Sequence, residues 1–458
     1  MSRCPLCPGV HNCVGPSGPS DSPYHFIGEA PGTSEDRKKV PFVGKTGDEV
    51  NRGYLPLANL RRENVYFDNA ISCLPDRPKG KLDPKRDADL ALLASCAEHH
   101  LYPALERDKP KIIIPMGAFA CRAIDPAIDL ELQHGMPVKT AWGTAFPMYH
   151  PAGGLHEPKK MLLVRTDWIR LRKLLVGRLR LPVDPHAGQE QYEEISSCNH
   201  LHSILKGNTA LVMGCDTENK KGGTPFCLTF SIQAGTGFLI RAQRSDLLGC
   251  YQEYLDQWRA PILWHNWLWD GAIVKAMGLQ FPRHWIKDTM VSIFHLGSLP
   301  QGLKALAYRE LGMRMQDFDD LVTPHSTPLA LEYLSNALTE DWPKPDPELY
   351  RDPQGQWKKK QPQGLGTKLK RFFSDCKKHP DKSPFEAWSN WETCWEMVER
   401  ECGEWPGKCI SHVPFEKALF YACRDADALI RLWPLIKHMQ RQVRKLPQEK
   451  WSEDYAAA

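Results

Sequence analysis

The stretch TALVMGCDTEN is an apolar run that ends in two carboxylates, Asp216 and Glu218. A short apolar run closed by polar residues reads as a buried strand. Side chains at i and i+2 of a strand leave from one face, so these two acids stand side by side at a strand end. Two hundred residues downstream, EKALFYACRDADALIRLW has the apolar period of a helix. Tyr421 and Asp425 are four apart there and stack on one helix face. Asp270, in HNWLWD, falls between the two segments.

Carboxylates converging from a strand and two helices suit hard divalent cations, Mg²⁺ or Mn²⁺ in preference to zinc. Asp216, Glu218, Asp270 and Asp425 are therefore expected to hold two such ions. A two-ion site activates water and stabilises a leaving oxygen in phosphodiester hydrolysis, and Tyr421 is expected to orient the attacking water. Taken singly, such acids are usually surface carboxylates or helix caps. Their order and their flanking apolar elements argue for a site.

With 458 residues the chain exceeds what one hydrophobic core usually serves, so two domains are expected. No run approaches the roughly 18 apolar residues of a membrane span, and MSRCPLCPGVHNC lacks a signal peptide's apolar centre, so a cytoplasmic protein without membrane contact is expected. The fifteen cysteines, an odd number, then point to metal ligation and buried thiols, not to a disulfide framework. A net charge of +4 does not by itself identify a nucleic-acid partner. The basic runs RTDWIRLRKLLVGRLRLP and QWKKKQPQGLGTKLKRFF are compatible with phosphate tracking or with solvated helix faces.

Strand-like runs alternate with helix-like stretches from Tyr24 to Leu175, which predicts a mostly parallel α/β domain over 1–180. A Pro- and Gly-rich linker is expected at 181–196, and a second α/β block over 197–445, with a polar insertion at about 323–408 and a tail at 446–458. Trp388, Trp391 and Trp395 in the insertion make a helical stripe that reads as core. FVGKTG ends like a phosphate-binding loop, but Lys39 stands where that motif needs glycine.

Cys4 and Cys7 in CPLC need distant partners. Cys73 and Cys96 supply them, giving four thiolates for a 4Fe-4S cluster or a structural zinc ion, with Cys13 as a spare. Behind that CxxC come GEAPGTSEDRKKVPFVGKTG, VYFDNAISC and MYHPAG, in that order. This region resembles the family 4 uracil-DNA glycosylases. The resemblance implies a parallel α/β/α sandwich and selects the 4Fe-4S cluster. It also implies that Phe42 stacks on a flipped base, Asn69 pairs with the uracil edge, and His150 donates toward O2. Glu29 is the candidate catalytic carboxylate, with Glu35 second. The departures are the basic insertion DRPKGKLDPKRD between Cys73 and Cys96, and the continuation PAGGLHEPKK after His150.

The second block resembles the proofreading domain of family A DNA polymerases, a ribonuclease-H-like 3′→5′ exonuclease of the DEDDy type. DTE, Asn266 to Asp270, Tyr421 to Asp425, and DTMVSIFHLGSLPQGLKALAYRELG carry that likeness. Some bacteriophage polymerases look like this in their N-terminal part, which would place the chain in a host cytoplasm. Together the resemblances imply an enzyme that joins uracil excision to 3′→5′ editing of single-stranded or 3′-ended DNA, as part of a polymerase or beside a separate family A polymerase subunit. The alternatives are a silent first domain that only binds DNA or docks a polymerase, and an RNA-trimming exonuclease, since nothing reads a 2′-OH.

Overall fold

The computed structural model describes residues 12–443 except 77–81, 84–85, 157, 207–211, 221–222, 297–299, 327–328 and 330–407. Cys4, Cys7, the tryptophan stripe, the second basic run, most of the expected insertion and the tail lie outside the described residues.

The first block is a five-stranded sheet in the order β2-β1-β3-β5-β4. Its strands are β1 (Tyr24–Gly28), β2 (Tyr66–Asn69), β3 (Ile112–Pro115), β4 (Val138–Thr140) and β5 (Gly143–Ala145). Four are parallel and β4 returns antiparallel at the edge. The helices are α1 (Thr33–Lys38), α2 (Lys45–Glu49), α3 (Asp87–Cys96), α4 (Tyr102–Asp108), α5 (Ala118–Ile124), α6 (Leu130–Gln133), α7 (Pro151–His156) and α8 (Pro158–Leu175). A parallel sheet needs both faces covered, which is why its strands are apolar throughout. Ile27 and Ile113 pack on one side with Leu93, Cys96 and Phe119; Phe26 and Ile114 pack on the other with Tyr54 and Trp168.

The second block has a six-stranded mixed sheet, order β11-β10-β7-β8-β9-β6. It contains β6 (Gln191–Glu194), β7 (Met213–Asn219), β8 (Pro225–Ser231), β9 (Thr236–Arg241), β10 (Ile262–Trp264) and β11 (Ile286–Asp288). β7, β8 and β9 form an antiparallel meander, while β10 and β11 continue parallel to β7. Its helices are α9 (Cys198–Leu205), α10 (Ser245–Gln257), α11 (Trp267–Ala276), α12 (Thr289–Phe294), α13 (Leu303–Leu311) and α14 (Phe415–Val443).

Two expectations are corrected. Residues 191–194, inside the expected linker, form β6 and pair parallel with β9, because tertiary pairing overrides the polar composition of QYEE. The rest of that stretch is held down as well: Asp184 and Glu190 accept charge-assisted bonds from Arg424, at 3.5 and 2.5 Å, and Arg431 binds Asp184 at 2.6 Å. The expectation of no disulfide also fails, since Cys198 and Cys250 are bonded where α9 meets α10, their Cα atoms 5.9 Å apart, a separation that suits a disulfide.

The two blocks meet at α13, which lies against α6. There Arg309, 3% exposed, reaches within 4.0 Å of Asp167, whose carboxylate also takes the His134 ring at 2.9 Å. No helix among the described residues is long and apolar enough to cross a membrane.

Two candidate functional sites

Gly28 and Asn69 are register partners at the carboxyl ends of neighbouring parallel strands, where open α/β sheets place ligands. A Cβ on residue 28 would stand 2.3 Å from Asn69 Oδ1 and 2.7 Å from Phe42 Cζ, so glycine there lets both side chains close over the strand end. Phe42 is buried and left-handed, with φ of 55°. Glu35 stabilises that loop: its carboxylate accepts from the backbone N–H of Phe42 and, at 2.7 Å, of Gly32. Arg62 adds a bond to Pro41 O at 2.8 Å. Glu35 therefore shapes the loop that presents Phe42.

The His150 ring lies 6.3 Å from that of Phe42. Desolvation pushes its imidazole down to about 4, so the ring is neutral at physiological pH. Its Nδ1 accepts the Ala152 N–H at 3.3 Å, which leaves the ring proton on Nε2. Asn69 is buried, and its Nδ2 finds no acceptor among the described residues. A buried amide donor without a partner costs free energy unless a ligand completes it. Glu29 follows Gly28 and accepts from Phe119 N–H at 3.1 Å; burial raises its carboxyl, opposed by the N–H groups of Phe119 and Ala118. The structure thus brings Phe42, Asn69 and His150 together, with Glu29 next along the chain.

Sequence reasoning missed Asp68. It is buried, its Oδ1 accepts the Asn69 N–H at 2.8 Å, and burial pushes its carboxyl up to about 7. An aspartate inside the apolar run VYFDN was the available signal. Of the four expected cluster ligands, Cys73 and Cys96 are buried in one apolar cluster; the backbone of the spare, Cys13, bridges to that of Cys73.

The second site is built on β7. Asp216 and Glu218 leave one face of this central strand, and α14 crosses above it. The crossing is close because a Cβ at Gly214 would lie 2.4 Å from Ala426 O. That approach brings Asp425 to the strand acids: carboxylate oxygens of Asp216, Glu218 and Asp425 lie within 4.8 Å of one another. Asp270 sits in the first turn of α11, whose start is held by Asp288, which accepts from Asn266 N–H at 3.2 Å and Trp267 N–H at 2.9 Å. The Asp270 carboxylate accepts from the Thr217 hydroxyl at 2.6 Å and the Thr217 N–H at 3.1 Å. It flanks the other three without joining their closest group.

Burial raises all four acids, and neighbouring carboxylates add to it. Asp216 and Glu218 stand well above the ordinary carboxylate range; burial pushes Asp425 up to about 7 and Asp270 to about 6. Tyr421, one turn before Asp425, is buried, and burial with Glu218, Asp425 and Asp216 raises its phenol. Lys304, which sequence reasoning quoted only within GLKALA, donates to the Tyr421 hydroxyl at 3.2 Å.

Residues 16–172 match the family model described as the uracil DNA glycosylase superfamily. The type-4 uracil-DNA glycosylase of Saccharolobus solfataricus is 30% identical over 185 residues, 38% of this chain and 82% of that protein. That of Archaeoglobus fulgidus is 32% identical over 181 residues, 38% of this chain and 86% of its own length. That of Thermotoga maritima is 30% identical over 159 residues, 33% of this chain and 78% of the relative. Through its first block, the chain belongs to the uracil-DNA glycosylase superfamily.

Proposed function

We propose that the first block excises uracil from DNA and that the second shortens DNA from its 3′ end. The observation that carries the first reading is the convergence of Phe42, the open Asn69 amide and neutral His150 around Gly28. A uracil flipped out of the stack would lie on Phe42, with Asn69 accepting from its N3–H and donating to O4. As the C1′–N1 bond breaks, the electron pair leaves with the base and charge gathers at O2, where His150 Nε2–H donates. Water adds its oxygen to C1′, one proton passing to Glu29 and on to the departing base, so the products are uracil and an abasic sugar. Cys4, Cys7, Cys73 and Cys96 are the set for a 4Fe-4S cluster. When bound, the cluster would tie the segment that carries Cys4 and Cys7 to the buried Cys73 and Cys96.

The second reading rests on the three carboxylates within 4.8 Å of one another, with Tyr421 one turn away. The meander β9-β8-β7 followed by parallel β10 and β11 supports a ribonuclease-H-like arrangement. Asp216, Glu218, Asp270 and Asp425 would hold two Mg²⁺ or Mn²⁺ ions, which supply charge to the attacked phosphate and to the leaving oxygen. Tyr421 would hold the water that adds to phosphorus. The P–O3′ bond breaks, a nucleoside 5′-monophosphate departs, and the new 3′ oxygen takes a proton. A polymerase, joined or separate, is the proposed partner, and DNA the proposed substrate.

One pair of assays tests both readings. The protein should release uracil from a single-stranded oligonucleotide and shorten it from the 3′ end when Mg²⁺ is present. No uracil release under any condition would leave the first block as a DNA-binding module, and equal trimming of RNA would replace the DNA reading. Anaerobically purified protein should be brown, with roughly four iron and four sulfide per chain, as a 4Fe-4S site requires.

A further inference from the structure

Helix α13 buries Leu303, Leu306 and Ala307 in the same cluster as Ala428, Leu429 and Leu432 of α14. That packing fixes α13 against the helix that carries Tyr421 and Asp425. Lys304 rides on it with its side chain mostly buried, 23% exposed, and its ammonium lies 5.0 Å from the Tyr421 ring centre. Among the described residues its ammonium donates to the Tyr421 hydroxyl oxygen at 3.2 Å and to Asp317 at 3.1 Å. Asp317 is 71% exposed, and surface pairs of that kind contribute about 0–1 kcal/mol.

Arg424, the residue before Asp425, is engaged elsewhere, with Glu190 at 2.5 Å and Arg314 O at 2.9 Å. The Lys304 ammonium is attracted to the carboxylates of both Glu218 and Asp425, the latter one helical turn from Tyr421. We propose that Lys304 is a positioning residue of the phosphodiester site: its ammonium fixes the Tyr421 hydroxyl by donating to its oxygen, and it is the built-in counter-charge of the carboxylate cluster. This rests on the phosphodiesterase reading. A lysine donor occupies the phenol's lone pair and leaves the O–H proton free to turn to the water.

The test uses the full chain and the variants Lys304→Met, Lys304→Arg, Asp317→Ala and Tyr421→Phe. Lys304→Met should lower kcat for Mg²⁺-dependent shortening about tenfold or more while KM for the strand stays within about threefold. Combined with Tyr421→Phe, it should add little to the loss seen with Tyr421→Phe alone. Metal provides a readout without turnover: Lys304→Met should lower the melting temperature more in EDTA than in Mg²⁺, because bound cations replace the missing charge. Lys304→Arg should restore the EDTA melting temperature but not kcat, since a planar guanidinium keeps the charge and loses the point contact.

Unchanged kcat in Lys304→Met, multiplicative losses in the double variant, or equal melting shifts with and without Mg²⁺ would overturn the assignment. So would an Asp317→Ala variant that reproduces every effect of Lys304→Met. If the wild type shortens no strand, the phosphodiesterase reading falls; a Lys304→Met melting shift larger in EDTA than in Mg²⁺ would still support the counter-charge role.

Discussion

Around Gly28 the first block gathers an amide donor that finds no acceptor among the described residues and an imidazole that carries no charge. On β7 the second block buries acids that repel one another. A neutral pocket waits for a hydrogen-bonding partner and suits a flat, uncharged base. A crowded carboxylate site suits positive charge. The contrast teaches that strand ends of one α/β chain can gather uncharged hydrogen-bonding groups in one block and close-set carboxylates in the other, and that burial acts on both by disfavouring charge.

Separate sites should fail separately. The largest effect is expected from Asp216→Ala, which should cut Mg²⁺-dependent shortening by about a thousandfold, the several kcal/mol that metal-held charge contributes, with uracil release intact. Parallel loss of both activities would break the comparison. Asn69→Ala and His150→Ala should each lower uracil release by about a hundredfold, the scale of one lost donor to developing charge, and leave shortening unchanged.

A smaller effect sharpens the electrostatic half. All four acids at β7 have raised carboxyl pKa values in the folded protein, with Asp270 at about 6 and Asp425 at about 7, while unfolded carboxylates titrate near 4. Between those limits the folded state binds more protons than the unfolded state, so stability falls as pH rises from about 4 to 7. In EDTA the melting temperature should drop across that window, and Mg²⁺ should reverse the drop at its upper end. A melting temperature independent of both pH and Mg²⁺ would remove the carboxylate half of the comparison. Gly28→Ala is the mildest change, costing about 1–3 kcal/mol by overpacking Asn69 and Phe42, and it should show in uracil release before it shows in shortening.

Much of this was legible in the sequence because it is local. The period-2 spacing of Asp216 and Glu218 and the four-residue spacing of Tyr421 and Asp425 describe single elements, and the structure gives a strand and a helix at those places. The apolar runs YHFIG and KIIIP likewise announce β1 and β3. Lys304 was not legible as a site residue, because nothing in GLKALA says which neighbour its ammonium will meet. The loop-holding role of Glu35, set by two backbone N–H groups, was equally hidden.

The sequence by itself determined which residues could carry chemistry, since side-chain type and element period are properties of the chain. Only the tertiary structure decided which of them meet. It drew α14 down over Gly214, paired residues 191–194 with β9, bonded Cys198 to Cys250 and set Arg309 against Asp167. The physical reason is range: spacing fixes direction within one element, whereas close approach between elements depends on packing between residues far apart in the chain, which no local pattern encodes.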